Sequence, residues 1–214
     1  MPKVVDHDAR RLDFIEAASQ TIIEAGIANT TIRAVAKKAG YTTGALVHYF
    51  GDKDELIRLT LQHFGKEVRG KMVSAHLRER GRAALRSVLI AALPTDARTA
   101  SSWRVWMALW YHSELSSAMR AEERRRYREW IGRLKELLSE SVAMAELPTS
   151  TDVDMEARSL VAFIDGLGVQ HLMAGTRTSQ ATVLRPLDAY LARLYPRSLR
   201  SKSARLSTAP MTRR

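Results

Sequence analysis

Residues 30–56 read TTIRAVAKKAGYTTGALVHYFGDKDEL, and the fold turns on this stretch. Ile32, Val35, Ala36 and Ala39 recur at helical spacing and predict a helix over about 31–39, followed by a shorter one over about 43–50. If Ile32 opens a helix-turn-helix, Ala36 lies where the two helices cross, and a larger side chain there would drive them apart. Gly40 lies where the chain must turn at positive φ. Leu46 then faces the first helix from inside the second. Small residue, glycine and aliphatic anchor, at offsets of four and six, suit a near-perpendicular pair.

The flanks extend the same reading. Leu12, Ile15, Ala18 and Ile22 mark a helix over about 8–25, stopped by Gly26. Asp52 with Glu55 reads as a capping box, two carboxylates taking up free amides of the next helix. That helix runs to about His76 with Ile57, Leu61, Phe64, Val68 and Met72 on one stripe. Further helices are expected over about 82–92, 101–113, 117–143, 152–175 and 179–195, with a loop at 147–151. Proline is confined to positions 2, 94, 148, 186, 196 and 210, and no stretch alternates with period two. The fold class is therefore all-α. A three-helix helix-turn-helix head (1–52) precedes a larger helical bundle for ligand binding and dimerisation (53–197) and a flexible basic tail (198–214).

Composition sets outer bounds. The chain has 214 residues, 45% hydrophobic and 27% charged, with no cysteine. A packed core is within reach, whereas disulfides and thiolate chemistry are excluded. No apolar run approaches a membrane span or a signal peptide, so a soluble cytoplasmic protein with no membrane partner is expected. The net charge of +11 is not a direct signature of nucleic-acid binding. Residues 1–56 hold seven basic and eight acidic side chains, while Arg193, Arg197, Arg200, Lys202, Arg205, Arg213 and Arg214 load the end of the chain. Between Arg33 and Lys53, however, four basic residues face one acidic residue. Local arrangement has to carry the case.

The second short helix offers Thr42, Thr43, Gly44, Ala45, His48 and Tyr49 outward. Hydroxyls and a ring nitrogen can bond phosphate oxygens and base edges, while Gly44 and Ala45 let the backbone approach. Thr31 and Arg33 at one helix start, and Lys53 at another, can add to the amide groups that attract phosphate there. Taken alone, the spacing also fits a tight helical hairpin with a polar surface.

The whole string settles more. Residues 8–60, with TTIRAVAKKAG, TTGALVHYF and DKDEL, resemble the amino-terminal domain of the TetR family of bacterial transcriptional regulators. His48-Tyr49-Phe50 and the later AFIDGL are similar to BetI-type repressors within it. The resemblance implies DNA contact by Thr31, Arg33, Thr42, Thr43, Gly44, His48, Tyr49 and Lys53, and a palindromic double-stranded operator. Tyr41 departs from the commoner valine in the turn. Arg10 and Arg11 either reach phosphate or the minor groove, or form a solvated helix end.

One such head reads few bases, so a homodimer is expected. In SLVAFIDGLGVQHLMAG (159–175) the one formally charged residue is Asp165, and a helix apolar all round needs cover on two sides. Phe163, Leu167 and Gln170, with Leu187, Tyr190 and Leu194 of the last helix, are the candidate dimer interface. The resemblance implies the same two-helix contribution per subunit.

All four tryptophans fall between positions 103 and 130. Trp103, Trp106, Met107, Trp110, Tyr111 and Trp130 either fill the core or wall an effector pocket between helices. Asp165 or Glu114 would add a carboxylate, and aromatic walls with a carboxylate suit a cation. BetI-type repressors respond to choline, so a quaternary amine is the effector class implied. The mixed-sign run EERRRYREW (122–130) reads as a solvated helix face, or as a second DNA-contacting surface. No HExxH, P-loop, GxGxxG or nucleophile elbow is present, so neither enzyme, metal nor cofactor is expected. The alternative function is a sequence-independent nucleoid protein.

Overall fold

The structure, a computed structural model, describes residues 6–111, 117–175 and 179–195. Glu114 and the basic tail expected at 198–214 lie outside the described residues, as does the side chain of Tyr111. Among the described residues there are nine helices and no strand: α1 (His7–Asn29), α2 (Ile32–Ala39), α3 (Thr43–Phe50), α4 (Lys53–Arg78), α5 (Gly81–Ala92), α6 (Ala97–Tyr111), α7 (Ser117–Ala143), α8 (Val153–Met173) and α9 (Ala181–Leu194). No helix among them is long and apolar enough to cross a membrane.

Local chemistry sets the boundaries. Asp6 caps α1, accepting from the amides of Asp8 and Ala9. Gly26 breaks α1 at φ 77° and ψ 165°, so the expected stop at about 25 is a kink followed by one last turn. α6 begins at Ala97, four residues before the expected start. The cause is Asp96, whose carboxylate takes the Thr99 amide at 2.9 Å and the Thr99 hydroxyl at 2.9 Å. The capping box forms by half. Asp52 Oδ1 accepts from the Glu55 amide at 2.8 Å, but the Glu55 carboxylate is held by Arg58 at 2.7 and 2.5 Å instead of reaching back. That pairing lowers the Glu55 pKa.

The chain divides into two compact units, residues 1–69 with 96–125, and residues 70–95 with 126–214. The head at 1–52 lies within the first. There α1 packs on α2 and on α6, and α2 on α3. One core joins Phe14, Ile15 and Ala18 of α1 to Val35, Ala36, Leu46, Phe50 and Leu56. A second joins Ile22 and Ile27 to Ile57 and Leu61 of α4 and to Val105, Trp106 and Leu109 of α6, with Met119. Arg98 of α6 reaches Glu16 of α1 at 2.5 Å and Glu67 of α4 at 2.7 Å, with its guanidinium 4.8 Å from the centre of the Phe64 ring.

In the second unit α9 packs on both α5 and α8. Leu85 and Leu89, Leu134 and Leu138, Leu160 and Ile164, and Leu187 and Leu191 are buried there. Arg86 holds Asp188 with two bonds, at 2.6 and 3.0 Å. Arg80 offers α5 no side-chain cap; Glu146 substitutes, accepting from the Arg82 amide at 2.6 Å. The Tyr195 hydroxyl lies 2.7 Å from Ser141 Oγ in a buried setting, and burial raises its pKa to about 12.

Candidate nucleic-acid interface

Each short helix of the head starts on a threonine and ends on a glycine. Thr31 caps α2, its Oγ1 taking the Ala34 amide at 3.1 Å; Thr42 caps α3, taking the Ala45 amide at 3.2 Å. Gly40 closes α2 in the left-handed region at φ 74°, with its amide bonded back to the Ala36 and Lys37 carbonyls. Ala36 is 1% exposed and Leu46 0%, so the crossing point and the anchor both pack inward as their spacing predicts.

The turn residue Tyr41 does not disturb this packing. Its ring lies 5.0 Å from that of Phe14, and its hydroxyl donates to Asp13 Oδ2 at 2.9 Å. Arg10 stands over the Tyr41 ring at 5.0 Å and Arg11 over Phe50 at 5.6 Å. These two arginines therefore lie against the head's aromatic side chains, and Arg11 stays exposed.

α3 presents Thr43, Gly44, Val47 and His48 to solvent, with Thr42 exposed at its cap. Arg33 is exposed on α2 and has no side-chain bond among the described residues. Two expected outward residues turn out otherwise. Ala45 and Tyr49 are half-buried and pack against the head core. The Tyr49 ring lies 5.7 Å from Phe14, and its hydroxyl is 2.6 Å from Nδ1 of His7. Lys53 is also engaged at home, donating to the Ala28 carbonyl at 3.1 Å beside the α1 kink. Val47 is the residue the sequence reading missed. It follows Leu46 in the string and looks like core, yet it is 44% exposed.

The candidate effector residues do not share one compact unit. Trp103, Trp106 and Trp110 belong to the first, Trp130 and Asp165 to the second. Trp106 is 8% and Trp103 9% exposed, and Trp106 sits in the second core of its unit. The Trp103 and Trp110 rings meet edge-on at 6.4 Å, Met107 between them in sequence is half-buried, and Trp110 Nε1 donates to Glu123 at 2.7 Å. Trp130 is half-buried; Asp165 accepts from the Tyr127 hydroxyl at 2.8 Å.

The candidate dimer residues also separate. Leu187 is 0% and Leu167 8% exposed within one chain, so these two are part of its own core. In α9 the inward stripe is Val183, Leu187 and Leu191, at steps of four. Phe163 and Tyr190 stack at 4.6 Å and are half-buried, as is Leu194, while Gln170 is exposed. The outward side of α8 bears Met155, Ala162, Gly166, Gln170 and Met173.

Comparison with known proteins agrees with this architecture at both ends of the chain. Residues 14–59 match the family described as "Bacterial regulatory proteins, tetR family", and residues 81–196 match "BetI-type transcriptional repressor, C-terminal". The chain belongs to the TetR family. This regulator is 30% identical over 200 residues to the HTH-type transcriptional regulator BetI of Paraburkholderia phymatum, covering 92% of this chain and 99% of that protein. It is 29% identical over 196 residues to BetI of Burkholderia mallei, covering 91% and 97%. The fold is shared with a transcriptional regulator of Pseudomonas aeruginosa (TM-score 0.79, 19% identity, 92% and 96% covered). It is shared too with one of Saccharomonospora viridis solved in complex with choline (TM-score 0.77, 22% identity, 86% and 96% covered). The regulator is thus a sequence-specific, ligand-responsive DNA-binding protein and not an enzyme. Members of its family bind DNA, usually as dimers, and answer to small molecules.

Proposed function

We propose that the regulator is a repressor that grips a palindromic operator as a homodimer and changes its grip when a quaternary amine binds. The exposed face of α3 carries the reading. Thr42, Thr43, Gly44 and His48 lie open beside a helix start, where amide groups and hydroxyls suit phosphate and base edges. Arg33 would add a phosphate contact. Thr31 and Thr42 serve first as caps, fixing how the helices present that face, and Tyr49 steadies α3 against α1 through His7. Lys53, bonded to Ala28, keeps two ammonium donors for phosphate.

For the dimer, the outward side of α8 (Ala162, Gly166, Gln170) with Phe163, Tyr190 and Leu194 is the surface of choice, because small residues allow close helix approach. Two heads so joined would enter successive major grooves about 34–36 Å apart. For the effector, the exposed ring of Trp110, which meets the buried Trp103 edge-on, offers an aromatic face beside the Glu123 carboxylate, the pairing a quaternary ammonium needs. The choline-bound fold relative supports that class. Footprinting on DNA upstream of the regulator's own gene, with and without choline, tests the reading. Protection of a palindrome that weakens with choline is expected; no protected palindrome would overturn it.

A further inference from the structure

We infer that Val47 is a specificity-determining residue of the recognition helix and reads the C5-methyl group of a thymine in the major groove. This deepens the operator reading and rests on it. α3 has eight residues; its other large apolar side chains, Leu46 and Phe50, are buried at 0% and 3%, whereas Val47 is 44% exposed. It takes no part in the head core, where even Ala45 and Tyr49 join. The rest of the same surface is polar or bare: Thr43 and Gly44 one turn before it and His48 beside it, all exposed. A Cβ placed on Gly44 would meet nothing within 4 Å, so the approach to Val47 from that side is open. The chain after it leaves through Gly51, which has no side chain to overhang.

The chemistry of Val47 suits one partner. An isopropyl group cannot bond the purine acceptors or the cytosine amino group, and covering them would strand buried polar atoms. A thymine methyl asks only for an apolar surface, and aliphatic contact there is an established form of base readout. Valine also holds nearly a single χ1 rotamer in a helix, so little freedom is lost on docking.

The test uses the full-length protein and a site selected from random duplex DNA. In that site each thymine is replaced in turn by uracil, which keeps every hydrogen-bonding group and deletes the methyl. One thymine per half-site is expected at which uracil weakens wild-type binding by roughly 3- to 10-fold. In Val47→Ala the same replacement should change affinity by less than about 2-fold, with the helical signal and melting curve kept because the side chain is exposed. An enriched site at which no uracil replacement weakens wild-type binding would overturn the assignment alone. So would an equal loss in Val47→Ala. A pool with no enriched sequence would sink the operator reading and the assignment together.

Discussion

Arg98 holds Glu67 by two parallel bonds, Nε to Oε2 at 2.7 Å and Nη2 to Oε1 at 2.8 Å, and spends its remaining nitrogen, Nη1, on Glu16. One guanidinium thereby ties α6 to α4 and to α1, and the Glu67 bonds, followed by that to Glu16, raise its pKa. At 40% side-chain exposure each ion pair counts for little alone; the fork geometry and the ring of Phe64 add to it. Arg98→Ala is expected to destabilise the protein by about 1–2 kcal/mol in a denaturant titration. Arg98→Lys should recover less than half of that, since an ammonium cannot make the paired bonds.

Gly81 opens α5 at φ 53°, and a Cβ there would fall 2.2 Å from the Glu146 oxygen that caps the helix. Gly81→Ala therefore meets both a left-handed backbone and a displaced cap. A loss of about 2 kcal/mol is expected by thermal melting. Combining it with Glu146→Ala should cost less than the sum, because the cap is already lost.

Tyr195 gives a pH signature. Burial lifts its pKa from 10.0 to about 12, so the folded state prefers the neutral phenol. Its contribution is complete below pH 10 and disappears as pH rises toward 12, since the unfolded chain ionises first. Stability should fall by about 2 kcal/mol across that window. In Tyr195→Phe the fall should be shallower; an unchanged slope would show that other groups govern it.

Two of the proposed operator contacts, Arg33 and His48, should separate in kind. Arg33→Ala is expected to weaken binding to all DNA sequences alike and to reduce the salt slope by about 1. His48→Ala should instead relax preference at one position of the operator, leaving the salt dependence nearly intact. Fluorescence anisotropy at several salt concentrations on matched and altered sites distinguishes them.

Much of this was legible in the string of residues. Gly40 and Asp52 are local signals, acting within a few residues of themselves, and they set the end of α2 and the start of α4 where expected. The shortfalls are of two kinds, local side-chain bonds that leave no mark on the apolar pattern and contacts between helices distant in sequence. Asp96 and Thr99 start α6 early through a cap that no apolar stripe reports. Glu55 abandons its half of the capping box because Arg58, three residues on, offers a charged partner. Tyr49 leans inward because His7 waits on another helix, 42 positions away. Leu187 faces its own chain because α5 and α8 both cover α9, which periodicity alone cannot choose between partner and self.

Ile22 and Ile27 do not finish their packing inside residues 1–52; they lean on Val105, Trp106 and Leu109. A chimera that grafts this reading head onto another regulator's body, with the junction placed at the turn after α3, would strip that support and expose a greasy seam. Swaps made for synthetic circuits should carry residues 53–69 and 96–125 along with the head, treating the transplant as one discontinuous block.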